Sequence, residues 1–148
     1  MTGKHSGHTR IRANFSHDGS RVALLPEDVT IPELLKSAGY ATGMFGKWGL
    51  GELETEGTPT RKGFDEFFGY INQKHAHFYY FPYLQHNEER YDIPENQNGR
   101  RGVYTHDLIH ARAKEYTTRH AEPGQPFFAY LADPLPHSDP VFRSTLPS

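Results

Sequence analysis

Two residues of this chain combine useful chemistry with a stiff setting. Lys47 stands in Gly46-Lys-Trp-Gly-Leu-Gly51, where three glycines in six residues imply unusual backbone dihedrals. His137 stands in Asp133-Pro-Leu-Pro-His-Ser-Asp-Pro140, stiffened by proline. Each follows an apolar run of strand length, residues 40–45 for Lys47 and 127–132 for His137. If both runs are strands of a mostly parallel sheet, their C-terminal ends share the edge where ligands bind. An ammonium with three donors and an imidazole converging there suit a tetrahedral oxyanion, such as a sulfate or phosphate ester. Each charge-assisted hydrogen bond would contribute about 1.5–3 kcal/mol. Lysines and histidines are also common as solvated loop residues, so spacing alone leaves both readings open. His75-Ala-His77 raises a metal reading, since alternate residues of an extended segment share a face, yet two ligands without a nearby carboxylate are too few.

The elements that must position these groups can be read around them. Thr30 and Glu33 have capping-box spacing, Pro32 lies in the first turn, and Leu34, Leu35 and Ala38 supply an apolar face. Gly39 then closes a helix, and Tyr40-Ala-Thr-Gly-Met-Phe45 reads as a short buried strand. A second helix is predicted from about Thr105 to His120, with Thr105 as its cap and Ile109, Ala113, Tyr116 and His120 along one stripe. Glu122-Pro-Gly-Gln-Pro126 breaks it, and Phe127-Phe-Ala-Tyr-Leu-Ala132 is the second strand. Between these units, residues 52–63 read as loop, 63–70 as an aromatic knot bounded by glycine, and 71–102 as a long excursion rich in Tyr, Phe, Pro, Asn and His. Residues 1–22 are polar, basic and without periodicity, and the last eight residues also read as loop.

Composition limits what kind of molecule this is. The chain has 148 residues, a formal net charge of −2 and no cysteine, which removes disulfides, thiolate zinc sites and cysteine nucleophiles together. Val, Ile, Leu and Phe make up 30 residues, near the lower edge for a foldable chain, which suggests much loop or an incomplete core. Low net charge with 14% aromatics argues against disorder. The absence of a sustained basic stripe argues against a nucleic-acid partner. No apolar run approaches the roughly 18 residues that span a bilayer, so no membrane partner is expected. No basic segment followed by an apolar one opens the chain in the manner of an export signal.

Three blocks carry a resemblance to a known family. Gly39-Tyr-Ala-Thr-Gly-Met-Phe-Gly-Lys-Trp-Gly-Leu-Gly51 resembles the Gly-Tyr-x-Thr…Gly-Lys-Trp-His-Leu-Gly block of type I, formylglycine-dependent sulfatases. Gly63-Phe-Asp-Glu-Phe-Phe-Gly69 is similar to their Gly-Phe-Asp-x-Phe-Phe-Gly block, and Pro126-Phe-Phe-Ala-Tyr-Leu131 with Pro136-His137 to their Pro-Phe-Phe-x-Tyr-Leu…Pro-His element. The blocks occur in family order across residues 26–140 and are jointly specific. One position departs: the histidine that usually follows Gly-Lys-Trp is Gly49, a variant that resembles one bacterial subgroup.

The resemblance implies an α/β fold, part of an alkaline-phosphatase-like mixed, mostly parallel sheet flanked by helices and truncated at both ends. It implies one partial N-terminal catalytic domain over 1–148: 1–25 loop, 26–51 helix, strand and the glycine-rich turn, 52–102 aromatic insertion, 103–140 helix, strand and Pro-His. It implies hydrolysis of sulfuric esters in an arylsulfatase-like enzyme, with Lys47 and His137 as catalytic residues and His75, His77 and Tyr79 on the substrate rim. Met1-Thr-Gly-Lys4 resembles the tail of the family signature, so the formylglycine nucleophile is expected upstream. Calcium is the implied metal, with ligands outside this chain, and the isolated chain is expected to be inactive. A phosphatase or phosphodiesterase of the same superfamily, and a non-catalytic remnant that at most binds anions, are the alternatives. Oligomeric state, location and the alcohol half of the ester stay open, although related bacterial enzymes are often exported.

Overall fold

The computed structural model describes residues 1–5, 7–13, 21–121 and 124–137. The loops expected over 14–20 and 138–148, and the break at 122–123, lie outside the described residues. The elements run α1 (Ile31–Ser37), β1 (Ala41–Lys47), β2 (Glu66–Tyr70), β3 (Tyr83–His86), β4 (Glu89–Asp92), α2 (Thr105–His120) and β5 (Phe127–Ala132). The strands form a single mixed sheet in the order β4-β3-β2-β1-β5. β1 is an interior strand next to the β5 edge, parallel to β2 on one side and to β5 on the other, while β2, β3 and β4 run antiparallel in sequence.

α1 starts as its sequence requires. The Thr30 N–H donates to the Glu33 carboxylate at 2.7 Å, the return half of a capping box. It ends in a Schellman turn, with Gly39 N–H donating to Lys36 C=O and Tyr40 N–H to Leu35 C=O, both at 3.0 Å, and Gly39 at φ +86°. The expected apolar face of Leu34, Leu35 and Ala38 does not form: Leu34 is 60% exposed, Ala38 is exposed and Leu35 only half-buried, and Pro32 is the buried residue of the helix. At seven residues, α1 is held by its ends more than by a stripe. Lys62, 1% exposed, is one such tie: its ammonium donates to the Leu25 and Asp28 carbonyls at 2.6 and 3.1 Å, 3.8 Å from Glu33.

The aromatic knot is a strand. Phe67 and Phe68 are both buried because β2 is covered on both faces, so its sequence runs apolar without alternating. Phe45 and Phe68 face Ile109, Ala113 and Tyr116 of α2, while Met44 and Phe67 face Leu24, Trp48 and Phe64 from the loops. Each buried Phe contributes about 1.5–3 kcal/mol. α2 approaches β1 closely over Gly43, where a Cβ would lie 2.8 Å from the Tyr116 ring. Thr105 does not cap α2; Tyr104 holds that position, and the Thr105 hydroxyl donates to the Tyr79 carbonyl at 2.6 Å. The excursion 71–102 holds 3₁₀ turns at His75–His77 and Pro94–Gly99 and the β3–β4 hairpin. Among the described residues, no helix is long and apolar enough to cross a membrane.

Candidate active site

The register brings two of the sequence-predicted groups to one edge. β1 and β5 are parallel neighbours with Gly46 opposite Ala132, so Lys47, the last residue of β1, lies level with the exit from β5 that leads to His137. The third member comes from the 3₁₀ turn. The His77 ring stands edge-on to the His137 ring at a centroid distance of 4.3 Å. Burial lowers the pKa of His77, and the charges of His137 and Lys47 lower it further, so the imidazole resists a second positive charge beside it. Lys47, His77 and His137 thus form one cluster of basic side chains at the C-terminal ends of the parallel strands, half-buried at Lys47 and His77 and open at His137.

A polar relay holds the His137 loop. The Tyr79 hydroxyl donates to the His137 carbonyl, and His137 N–H donates to Pro134 C=O at 3.1 Å. The Tyr79 carbonyl accepts from Thr105, and the Thr105 hydroxyl accepts in turn from Tyr70 at the end of β2. Burial raises the Tyr70 pKa, which keeps that phenol a donor. Tyr79 is 9% exposed, so it positions His137 and presents little of itself to a ligand.

His75 stands apart from the cluster. The extended reading of 75–77 is overturned, because a 3₁₀ turn advances about 120° per residue and sends i and i+2 in different directions. The His75 ring stacks on Phe81 at 4.1 Å and meets Tyr83 edge-on at 5.6 Å. Its pKa is lowered by burial and then by Arg21.

Sequence reasoning missed Gln73. Its amide fills the space into which a side chain at Gly49 would project, and a Cβ there would overlap it. The Gln73 amide lies 3.4 Å from the Gly49 carbonyl. Beside it Arg21 pairs with Glu52 and donates to the Asn72 side chain at 2.8 Å. Gly49 in Gly46-Lys-Trp-Gly-Leu-Gly51 was the available signal, since a position without a side chain leaves room for a neighbour such as Gln73.

The fold is a mixed α/β sheet with Lys47, His77 and His137 gathered past the ends of its parallel strands, the edge at which ligands of such sheets bind. The sulfatase family model matches residues 4–147, and the chain belongs to that family. Arylsulfatase J of Mus musculus is 30% identical over 142 residues, taking in 93% of this chain and 24% of that protein. Arylsulfatase of Klebsiella aerogenes is 29% identical over 139 residues, 87% of this chain and 28% of its own length. Among solved structures, Ps i-CgsB in complex with k-i-k-neocarrahexaose is similar at a TM-score of 0.63 and 26% identity, over 84% of this chain and 30% of that one. The likeness gives the chain the mixed α/β architecture of the alkaline-phosphatase-like superfamily. The chain spans about a quarter of the length of the curated relatives it matches.

The metal implied by the family resemblance is calcium, which takes six to eight oxygen ligands. Among the described residues, the one group of three or more potential metal ligands is His106, His110 and Asp133. Two imidazoles in three ligands do not fit a calcium shell.

Proposed function

We propose that this chain forms the anion-holding edge of a sulfuric ester hydrolase, arylsulfatase-like in its reaction. Lys47 supplies a fixed positive charge to the sulfate. His137 donates to a sulfate oxygen and to the leaving-group oxygen, lowering the charge that develops as the S–O bond breaks. His77, in ring contact with His137 and within reach of the Lys47 charge, adds a second imidazole to the same edge. Tyr79 fixes the His137 loop, and His75 with Phe81 and Tyr83 forms an aromatic flank. The observation that carries this reading is the 4.3 Å contact of His77 with His137 beside Lys47, at the edge where the parallel strands end.

The signature Cys/Ser-x-Pro-x-Arg does not occur among the 148 residues. Without that nucleophile, and without a calcium shell among the described residues, the chain by itself binds sulfate and does not turn over an aryl sulfate. The test is calorimetric titration of sulfate into the purified chain, with 4-nitrophenyl sulfate hydrolysis measured in parallel with added calcium. Binding that falls at least about tenfold in Lys47→Ala and in His137→Ala, one charge-assisted hydrogen bond in each case, supports the reading. Sulfate affinity indifferent to both substitutions would overturn the site, and calcium-dependent hydrolysis would overturn the inactivity.

A further inference from the structure

A second cluster lies on α2 and the exit of β5. His106 and His110 are four residues apart in α2, the spacing that puts two side chains on one helix face. Their rings are 4.1 Å apart. Asp133, the first residue after β5, reaches the same face, with His110 Nε2 3.2 Å from its carboxylate. One ligand atom from each residue falls within 4.8 Å of the other two. His106 is 9% exposed, and its enclosed Nδ1 meets no hydrogen-bond partner among the described residues. A buried imidazole nitrogen with no partner is a cost that a ligand bond would remove. His110 and Asp133 are exposed and can rotate. That freedom matters, because ligands of a tetrahedral zinc ion stand about 3.3 Å apart, so the group must close by roughly 1.5 Å.

The geometry points to a zinc site formed by His106, His110 and Asp133, with its fourth position left to water. Two imidazoles and one carboxylate are the donor set of zinc and its first-row neighbours, and they set this site apart from an oxygen-liganded calcium ion. The His-x-x-x-His pair rides on a helix whose other face is locked into the core by Ile109, Ala113 and Tyr116. A metal here staples α2 to the end of β5 and tethers the loop that carries His137 four residues further on. The site shares no residue with the Lys47–His77–His137 cluster, so it stands or falls separately from sulfate binding.

The test uses the full chain, stripped with EDTA and titrated with zinc by calorimetry and with cobalt(II) by visible absorption. Saturable binding of one zinc ion per chain is expected, with cobalt giving the d–d bands of a low-coordinate site. His110→Ala and Asp133→Asn, both at exposed positions that the fold tolerates, each weaken zinc binding by at least about tenfold, the minimum seen when even an outer partner of a metal site is lost. His77→Ala leaves zinc affinity unchanged. Failure to bind zinc in the micromolar range overturns the site. So does binding that survives both α2 and Asp133 substitutions, or that disappears with His77→Ala and thus belongs to the other histidines.

Discussion

His77 shows what a single residue contributes at this edge. Its pKa lies below the ordinary 6.5 because it is partly buried and faces His137 and Lys47, so it is neutral at pH 7. A bound sulfate, dianionic across this range, favours the imidazolium and raises the pKa in the complex. Affinity for sulfate therefore rises as pH falls through the window between the bound and free values, and levels off below the free one. The same depression opposes folding: below about pH 6.5 the unfolded chain accepts a proton that the folded site resists. Titrating sulfate between pH 5 and 8 should show stronger binding toward acid, with the slope reduced in His77→Gln. A flat profile in the unsubstituted chain would remove His77 from the site. Lys47 and His137 were legible as residues because glycine marks the strand end that holds Lys47 and proline the loop that holds His137. His77 was legible as chemistry but not as a partner of His137, since its direction depends on a 3₁₀ turn that the spacing His-x-His does not announce.

At the scale of elements, legibility follows how each one is stabilised. α2 and β5 begin and end where periodicity and the Gly/Pro break imply, because α2 buries Ile109, Ala113 and Tyr116 against the sheet and β5 is an apolar run paired along its length with β1. β4 is exposed throughout and so has no pattern to read, and the β3–β4 turn relies on Asn87 at φ +54° without the Asn-Gly signature. The excursion 71–102 is instead organised by one polar side chain. Asn96, 1% exposed, donates to the carbonyls of Phe81 and Val103 at 3.2 and 2.7 Å, and its own carbonyl accepts from Gly102 and Val103 N–H at 3.0 and 2.8 Å. Those four bonds join the aromatic stretch to the approach to α2, and through Thr105 and Tyr79 to the His137 loop. Asn96→Ala leaves several backbone groups unpaired in a buried place, at about 1–3 kcal/mol for each that water cannot reach. A loss of about 3 kcal/mol in urea unfolding, with weaker sulfate binding, is expected. A change under 1 kcal/mol would mean that the excursion is held by its aromatic contacts.

For the molecule as a whole, the sheet order sets the main liability. β5 stands at one end of the order, and among the described residues it pairs only with β1. Its six residues, Phe-Phe-Ala-Tyr-Leu-Ala, carry no charge and no proline, and Tyr130 and Leu131 are 38% and 48% exposed. An open edge with that composition is a template for pairing with a second strand, and nothing in β5 opposes it by charge. α1 adds exposed Ile31 and Leu34 at another place on the surface, and the net charge of −2 gives little mutual repulsion between copies. The chain is therefore expected to self-associate as concentration rises, and the edge of β5 should carry most of the effect. Leu131→Lys places a charge on that edge at a half-exposed position, where desolvation is avoidable and the core contacts of Phe127 and Ala129 are kept. Light scattering against concentration should then show association shifted to higher protein concentration for Leu131→Lys, while Leu34→Lys on α1 moves it less. Equal shifts from the two substitutions would assign association to general surface hydrophobicity, and a chain that scatters as a monomer throughout would show that the open edge is already protected.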